Sequence, residues 1–165
     1  MRYFIKQKVF SLRDKFNITN EQQDTLYQVE GKLISITNKL FLTNPTGDLV
    51  LKAKKKLFRI FAEYNIESPE GNHLAKVKRR FSIRPNFTVT ANNRTLDVHG
   101  NFIAHSFNVS EGGQEVVSIK KKLFSFGDSY VIDVHDTAQE ELYLFIVIII
   151  DQIIEEAEAK RNARH

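Results

Sequence analysis

The side chains of this chain best suited to proton transfer or metal ligation are its five histidines, His73, His99, His105, His135 and His165, with the carboxylates around them. None of them forms an HExxH pair or any other spacing that would bring ligands onto one face of a predictable element. The best local constellation is Asp133, His135 and Asp136. On an extended strand Asp133 and His135 share a face, and Asp136 follows at the entrance to a helix, where a general acid–base pair or a cation site could be drawn. The simpler assignment has Asp136 capping the helix and the other two facing solvent, and it is preferred here. There is no GxSxG elbow, no phosphate-cradling GxxxxGK, and no GxGxxG between a strand and a helix; Gly112-Gly113 reads as a turn. The adjacent pairs Glu140-Glu141 and Glu155-Glu156 diverge on a helix and mark where it reaches water. Cysteine is absent, which excludes disulfides, thiol chemistry, cysteine-ligated metals and cysteine lipidation. The chain is therefore expected not to be an enzyme, with no catalytic, cofactor-binding or metal-ligating residue assigned.

Basic residues carry the other candidate chemistry. Formal net charge is +4, divided unevenly: residues 1–136 hold 21 Lys and Arg against 14 Asp and Glu, while 137–165 hold three against six. Three triplets stand out, Lys54-Lys55-Lys56, Lys78-Arg79-Arg80 and Lys120-Lys121-Lys122. Each follows a turn glycine (Gly47, Gly71, Gly113) at the same offset and is flanked by apolar residues, as though three hairpins shared one design. Strand alternation sends the outer members one way and the middle member the other. Lys54, Lys56, Lys78, Arg80, Lys120 and Lys122 form the candidate anion-binding patch, provided that the clusters lie on neighbouring strands. Solubility and edge protection explain the same residues without a ligand. Phe58, Phe61 and Phe81 lie beside the basic runs as stacking platforms for nucleic acid would, but their spacing favours core packing.

These residues need elements to position them. Leu142–Ile154, LYLFIVIIIDQII, is apolar on every side, and as a helix it is too short to span a bilayer, which takes about 20 residues. It must be a core helix, with Asp136, Thr137, Gln139 and Glu140 as capping residues. Asp151 interrupts it. A buried carboxylate needs a partner, and the middle residues Lys55, Arg79 or Lys121 are the expected ones. Everything earlier reads as short strands of period two, including Leu33 to Thr37, Leu40 to Thr43, Phe87 to Ala91, Leu96 to Gly100 and Tyr130 to Val134. About a dozen such strands remove their edges by closing into an antiparallel barrel, and the apolar helix fills its lumen.

Several segments resemble the LURP-one-related family in its bacterial members, whose domain is similar to the tubby C-terminal fold: MRYFIKQKVFSLRDKFNI, YQVEGKLISITNKLFL, GDLVLKAKKKLFRIFAEYNI, GGQEVVSIKKKLFSFGDSYVIDV and the apolar C-terminal helix. The resemblance implies an all-β-dominated fold, a roughly twelve-stranded closed barrel around a central hydrophobic helix. It implies one tubby C-terminal-like domain over 1–165, with barrel strands in 1–135 and the central helix and its exposed tail in 137–160. Through phospholipid scramblases and tubby domains it also implies anionic lipid headgroups as a ligand. The expected function is a binding or scaffold module for anionic phospholipid or a protein partner, cytoplasmic or peripheral at a membrane, with no cofactor and no transmembrane segment. The alternatives are an enzyme with a small site at the barrel mouth, or a weak nucleic-acid binder.

Overall fold

The structure, a computed structural model, describes residues 1–6, 15–34, 37–57, 59–124 and 127–164. Period-two alternation becomes twelve strands among them: β1 (Arg2–Lys6), β2 (Lys15–Thr19), β3 (Thr25–Ile34), β4 (Thr37–Thr43), β5 (Leu49–Lys55), β6 (Glu63–Glu67), β7 (His73–Arg79), β8 (Phe87–Ala91), β9 (Arg94–Asn101), β10 (Ser106–Glu111), β11 (Gln114–Phe124) and β12 (Gly127–Val134). Each pairs antiparallel with its neighbours in sequence, and β1 pairs with β12, Tyr3 opposite Ile132, so that the barrel closes and no edge is left. A 3-10 turn, Thr137–Gln139, leads into the helix α1 (Glu140–Asn162).

All thirteen residues from Leu142 to Ile154 are buried. A helix buried on every face is surrounded, and the wall makes room for it with small inward residues such as Ala53, Ala75 and Ala91 beside the larger Tyr64, Ile66 and Val89. At about 1.5–3 kcal/mol for each large apolar side chain removed from water, α1 is the main contributor to a single shared core. Near the start of that core helix the expected caps divide: Asp136 Oδ1 accepts from Ala138 N at 3.1 Å and so caps the 3-10 turn, while Gln139, at the N-cap of α1, makes no side-chain capping bond.

Three hairpins repeat one loop at 24-residue intervals. In 20–24, 44–48 and 68–72 the residue at the fourth position donates its N–H to the first carbonyl, and a side chain at the first position (Asn20, Asn44, Ser68) accepts from the N–H of the fifth. Gln23, Gly47 and Gly71 hold the positive φ this loop demands, at 69°, 92° and 99°. Gly113 belongs to a different, two-residue turn with Gly112. The repeat thus covers the loops of β2–β3, β4–β5 and β6–β7, and the Gly113 hairpin shares the strand pattern but not the turn.

Two strand-level expectations are corrected. Leu33 to Thr37 does not run as one strand, because Leu33 pairs with Asn38 and Ile34 with Thr37. Phe81 is not in the core: the chain leaves the sheet after Arg79, and Phe81 is 87% exposed, its ring 5.7 Å from that of Phe61. Phe58 lies outside the described residues.

Candidate functional site

The loops just described sit at one rim, so β5, β7, β9 and β11 all run toward the opposite rim, as α1 does from its start near Tyr27, Leu51 and Leu74. At that second rim the helix emerges and its glutamates meet the wall. The middle members of the triplets point inward, as alternation requires. Lys55 Nζ reaches Glu156 Oε2 at 2.6 Å, and the Tyr64 hydroxyl donates to Glu156 Oε1 at 3.0 Å. Lys121 Nζ stands 3.9 Å from Glu155 Oε1, and the Tyr130 hydroxyl donates to the same oxygen at 3.5 Å. The two arrangements match: each Lys pairs across the ladder with its Tyr (Lys55 with Tyr64, Lys121 with Tyr130) and lies over that ring at 5.8 and 5.7 Å.

Asp151 lies one turn deeper, 1% exposed. Its partner is His105 rather than a triplet cation: His105 Nδ1 is 2.6 Å from Asp151 Oδ1. Lys55 and Lys121 reach one turn farther along α1 and meet Glu156 and Glu155 instead. His105 sits at the end of the β9–β10 connection with φ of 49°, its N–H donating to Phe102 O and its carbonyl accepting from Lys121 N. Glu155 and Glu158 face its other nitrogen, Nε2, at 3.7 and 3.5 Å. Burial opposes a charge on the imidazole, but the Asp151 hydrogen bond and the three carboxylates outweigh it and raise the His105 pKa. Burial likewise raises that of Asp151, against the pull of His105. Sequence reasoning passed over His105 because nothing local marks it. The one available signal was Asp151, a carboxylate in an apolar helix, which demanded some partner.

Around this inner layer the rim is cationic and apolar. A cleft of about 570 Å³ is lined by Lys55, Arg59, Arg79, Lys160, Arg161 and Arg164, together with Ile60, Phe61 and the helix. A second, about 320 Å³, lies beside it between Ile83, Arg84, Ile103 and Glu158. Six large apolar residues are exposed among the described residues: Met1, Leu57, Ile60, Phe81, Ile83 and Ile103. All but Met1 belong to the connections at this rim.

The six expected patch residues are exposed, Lys54, Lys78, Lys120 and Lys122 on the outer wall and Lys56 and Arg80 just past the ends of β5 and β7. They do not form one cluster, because β6 separates β5 from β7 and β11 lies four strands beyond β7. Glu67 takes Lys54 at 3.2 Å and Glu63 takes Lys56 at 3.0 Å, so β6 neutralises part of the patch. Asp133, His135 and Asp136 also separate by partner. Arg2 Nε donates to Asp133 Oδ1 at 2.7 Å, holding that carboxyl below its usual range, and His135 Nε2 is 3.0 Å from Glu115 Oε1.

Comparison with known proteins adds the following. A family model described as LURP-one-related matches residues 1–151. A crystal structure of a protein from Arabidopsis thaliana superposes with a TM-score of 0.61, covering 91% of this chain and 89% of that one at 18% identity. The likeness is one of fold. A search of curated proteins found no match.

Proposed function

We propose that this chain, which belongs to the LURP-one-related family, is a non-catalytic binding module that docks on an anionic lipid surface through the rim where α1 leaves the barrel. The observation that supports this is the segregation of exposed apolar residues: Ile60, Phe81, Ile83 and Ile103 all stand on loops of one rim, among Arg59, Arg79, Arg80, Arg84, Arg161 and Arg164. Isolated surface apolar residues are ordinary, but a group of them ringed by cations is the pattern of a side that meets headgroups with its charges and acyl chains with its apolar tips. At about 1 kcal/mol per basic residue near an anionic surface, the cations provide weak, salt-sensitive adsorption, and partial burial of Phe81 and Ile83 adds to it. On this reading the module works at the periphery of a membrane. No helix among the described residues is long and apolar enough to cross one.

Sedimentation with vesicles tests the proposal. The protein is expected to pellet with phosphatidylcholine vesicles containing phosphatidylserine, not with phosphatidylcholine alone, and to be released by salt. Phe81→Ser with Ile83→Ser, both on exposed positions, should lower recovery at least about tenfold. Equal and negligible recovery with both vesicle types would remove the reading, as would binding that the double substitution leaves unchanged. Salt-steep binding to single-stranded DNA without vesicle binding would transfer the rim to nucleic acid.

A further inference from the structure

Arg79 breaks the pattern that the other two triplets set. Of the inward middle residues at the second rim, Lys55 has Glu156 at 2.6 Å and Lys121 has Glu155 at 3.9 Å. Arg79 is half-buried on the inward face of β7 with Ala75 and Val77, and among the described residues no carboxylate pairs with its guanidinium. The side chain lines both rim clefts. From this geometry we infer that the cleft of about 320 Å³ between the β7–β8 and β9–β10 connections binds one single-chain amphiphile with an anionic head, the head on Arg79 and Arg161 and the chain over α1.

Charge selects the head. Three guanidiniums, Arg79, Arg84 and Arg161, line this cleft against one carboxylate, Glu158, which faces His105 Nε2 at 3.5 Å. In the adjoining cleft, which Arg79 and Arg161 also line, Glu156 is held by Lys55 and by the Tyr64 hydroxyl. The carboxylates of both clefts are thus engaged elsewhere, and Arg79 and Arg161 stand where the two clefts meet. A partly buried guanidinium without a counterion favours a carboxylate or a phosphate, whose paired oxygens match its fork of N–H donors.

The apolar lining selects the rest of the molecule. Phe87 and Ile154, each 5% exposed, form the floor of the cleft, with Ile83 and Ile103 at its lips. A free inorganic anion leaves that surface wet, whereas methylenes laid over it remove apolar area from water. The volume of about 320 Å³ lies at the small end of ligand pockets, which run from about 300 to 1,000 Å³, and so suits one chain rather than two. Ile83 and Ile103, both exposed, are the residues that a bound chain covers. Such a site goes beyond docking on a surface, since a single molecule taken from solution fills it.

Calorimetric titration of the full chain, without vesicles, with decanoate and with decyl phosphate below their micellar concentrations is the test. One equivalent is expected to bind, with affinity rising about fourfold for each methylene added between octanoate and decanoate. Inorganic phosphate and decanol, each lacking one half of the ligand, should bind more weakly by about tenfold or more. The tighter of the two heads identifies the source, a fatty acid or a lipid phosphate. Arg79→Gln should lower affinity by about tenfold or more, as should Ile103→Asp at its exposed position. Lys78→Gln, which removes an outward charge from the same strand, should leave it unchanged. Absence of saturable binding of either amphiphile would overturn the inference. So would affinity that ignores chain length, inorganic phosphate binding as tightly as decyl phosphate, or binding that Arg79→Gln leaves intact. Vesicle pelleting can persist when this titration fails and fail when it succeeds, so the single-molecule site and the surface reading are told apart.

Discussion

Glu63 shows how a single carboxylate can be sealed into the wall and still carry its charge. It is 3% exposed at the start of β6, with Lys56 Nζ at 3.0 Å, Lys76 Nζ at 3.9 Å and Arg59 Nε at 4.0 Å. Burial alone would raise its pKa, but the Lys56 hydrogen bond and the three cations prevail and hold it below the ordinary glutamate value. A carboxyl whose folded pKa is lowered adds stability that is fully present above the unfolded value near 4.5 and is lost as pH falls through the folded value. Glu63→Gln is therefore expected to cost about 1–3 kcal/mol at neutral pH and to flatten the acid limb of the stability curve. Urea unfolding of both proteins from pH 7 down to pH 3 measures this. A constant difference across that range would contradict it.

At the scale of elements, β5, β7 and β11 each turn a charged residue inward near the second rim, where the lumen opens. Lys55 and Lys121 do this against the glutamates of α1, and Arg79 lines both rim clefts from β7. The β9–β10 hairpin follows a different plan, since its connection brings in His105. That hairpin depends on Gly100, whose φ is +144° and where an added Cβ would lie 2.4 Å from Phe107 Cα and 2.5 Å from the Ser106 carbonyl oxygen. Both are backbone atoms and cannot swing aside. Gly100→Ala should cost about 2–4 kcal/mol, since strain and crowding add, and thermal unfolding would show it. A variant as stable as the parent would mean that the hairpin has room the geometry denies.

For the whole molecule, barrel and helix are not separable layers: the helix is the core that the wall encloses. Removing part of it exposes neighbours on every side at once. Ile146, wholly buried in α1, has no free surface into which a cavity can collapse. Ile146→Ala is expected to lower stability by about 2–5 kcal/mol. Far-ultraviolet and tyrosine near-ultraviolet signals should shift together, because strands and helix unfold as one unit. Separate transitions would show that the wall stands without its filler.

The chain's local pattern was enough for much of this. Thirteen positions in a row, apolar except for Asp151 and Gln152, flanked by glutamates and too short for a bilayer, require enclosure, and period-two segments with turn residues between them offer a closed wall. Alternation within the basic triplets also set which members face in, because side-chain direction on a strand depends only on position. What tertiary structure decided are the meetings between distant residues. His105 and Asp151 are 46 positions apart and no periodicity links them; the β9–β10 connection brings them together through a residue with positive φ. The partners of the triplet cations moved one turn along α1, since the depth at which a helix sits in a barrel follows from packing rather than from spacing. The exposed apolar rim escaped notice for a related reason: Phe81 continues the alternation of β7, and only the point where the chain leaves the sheet turns it from core to surface.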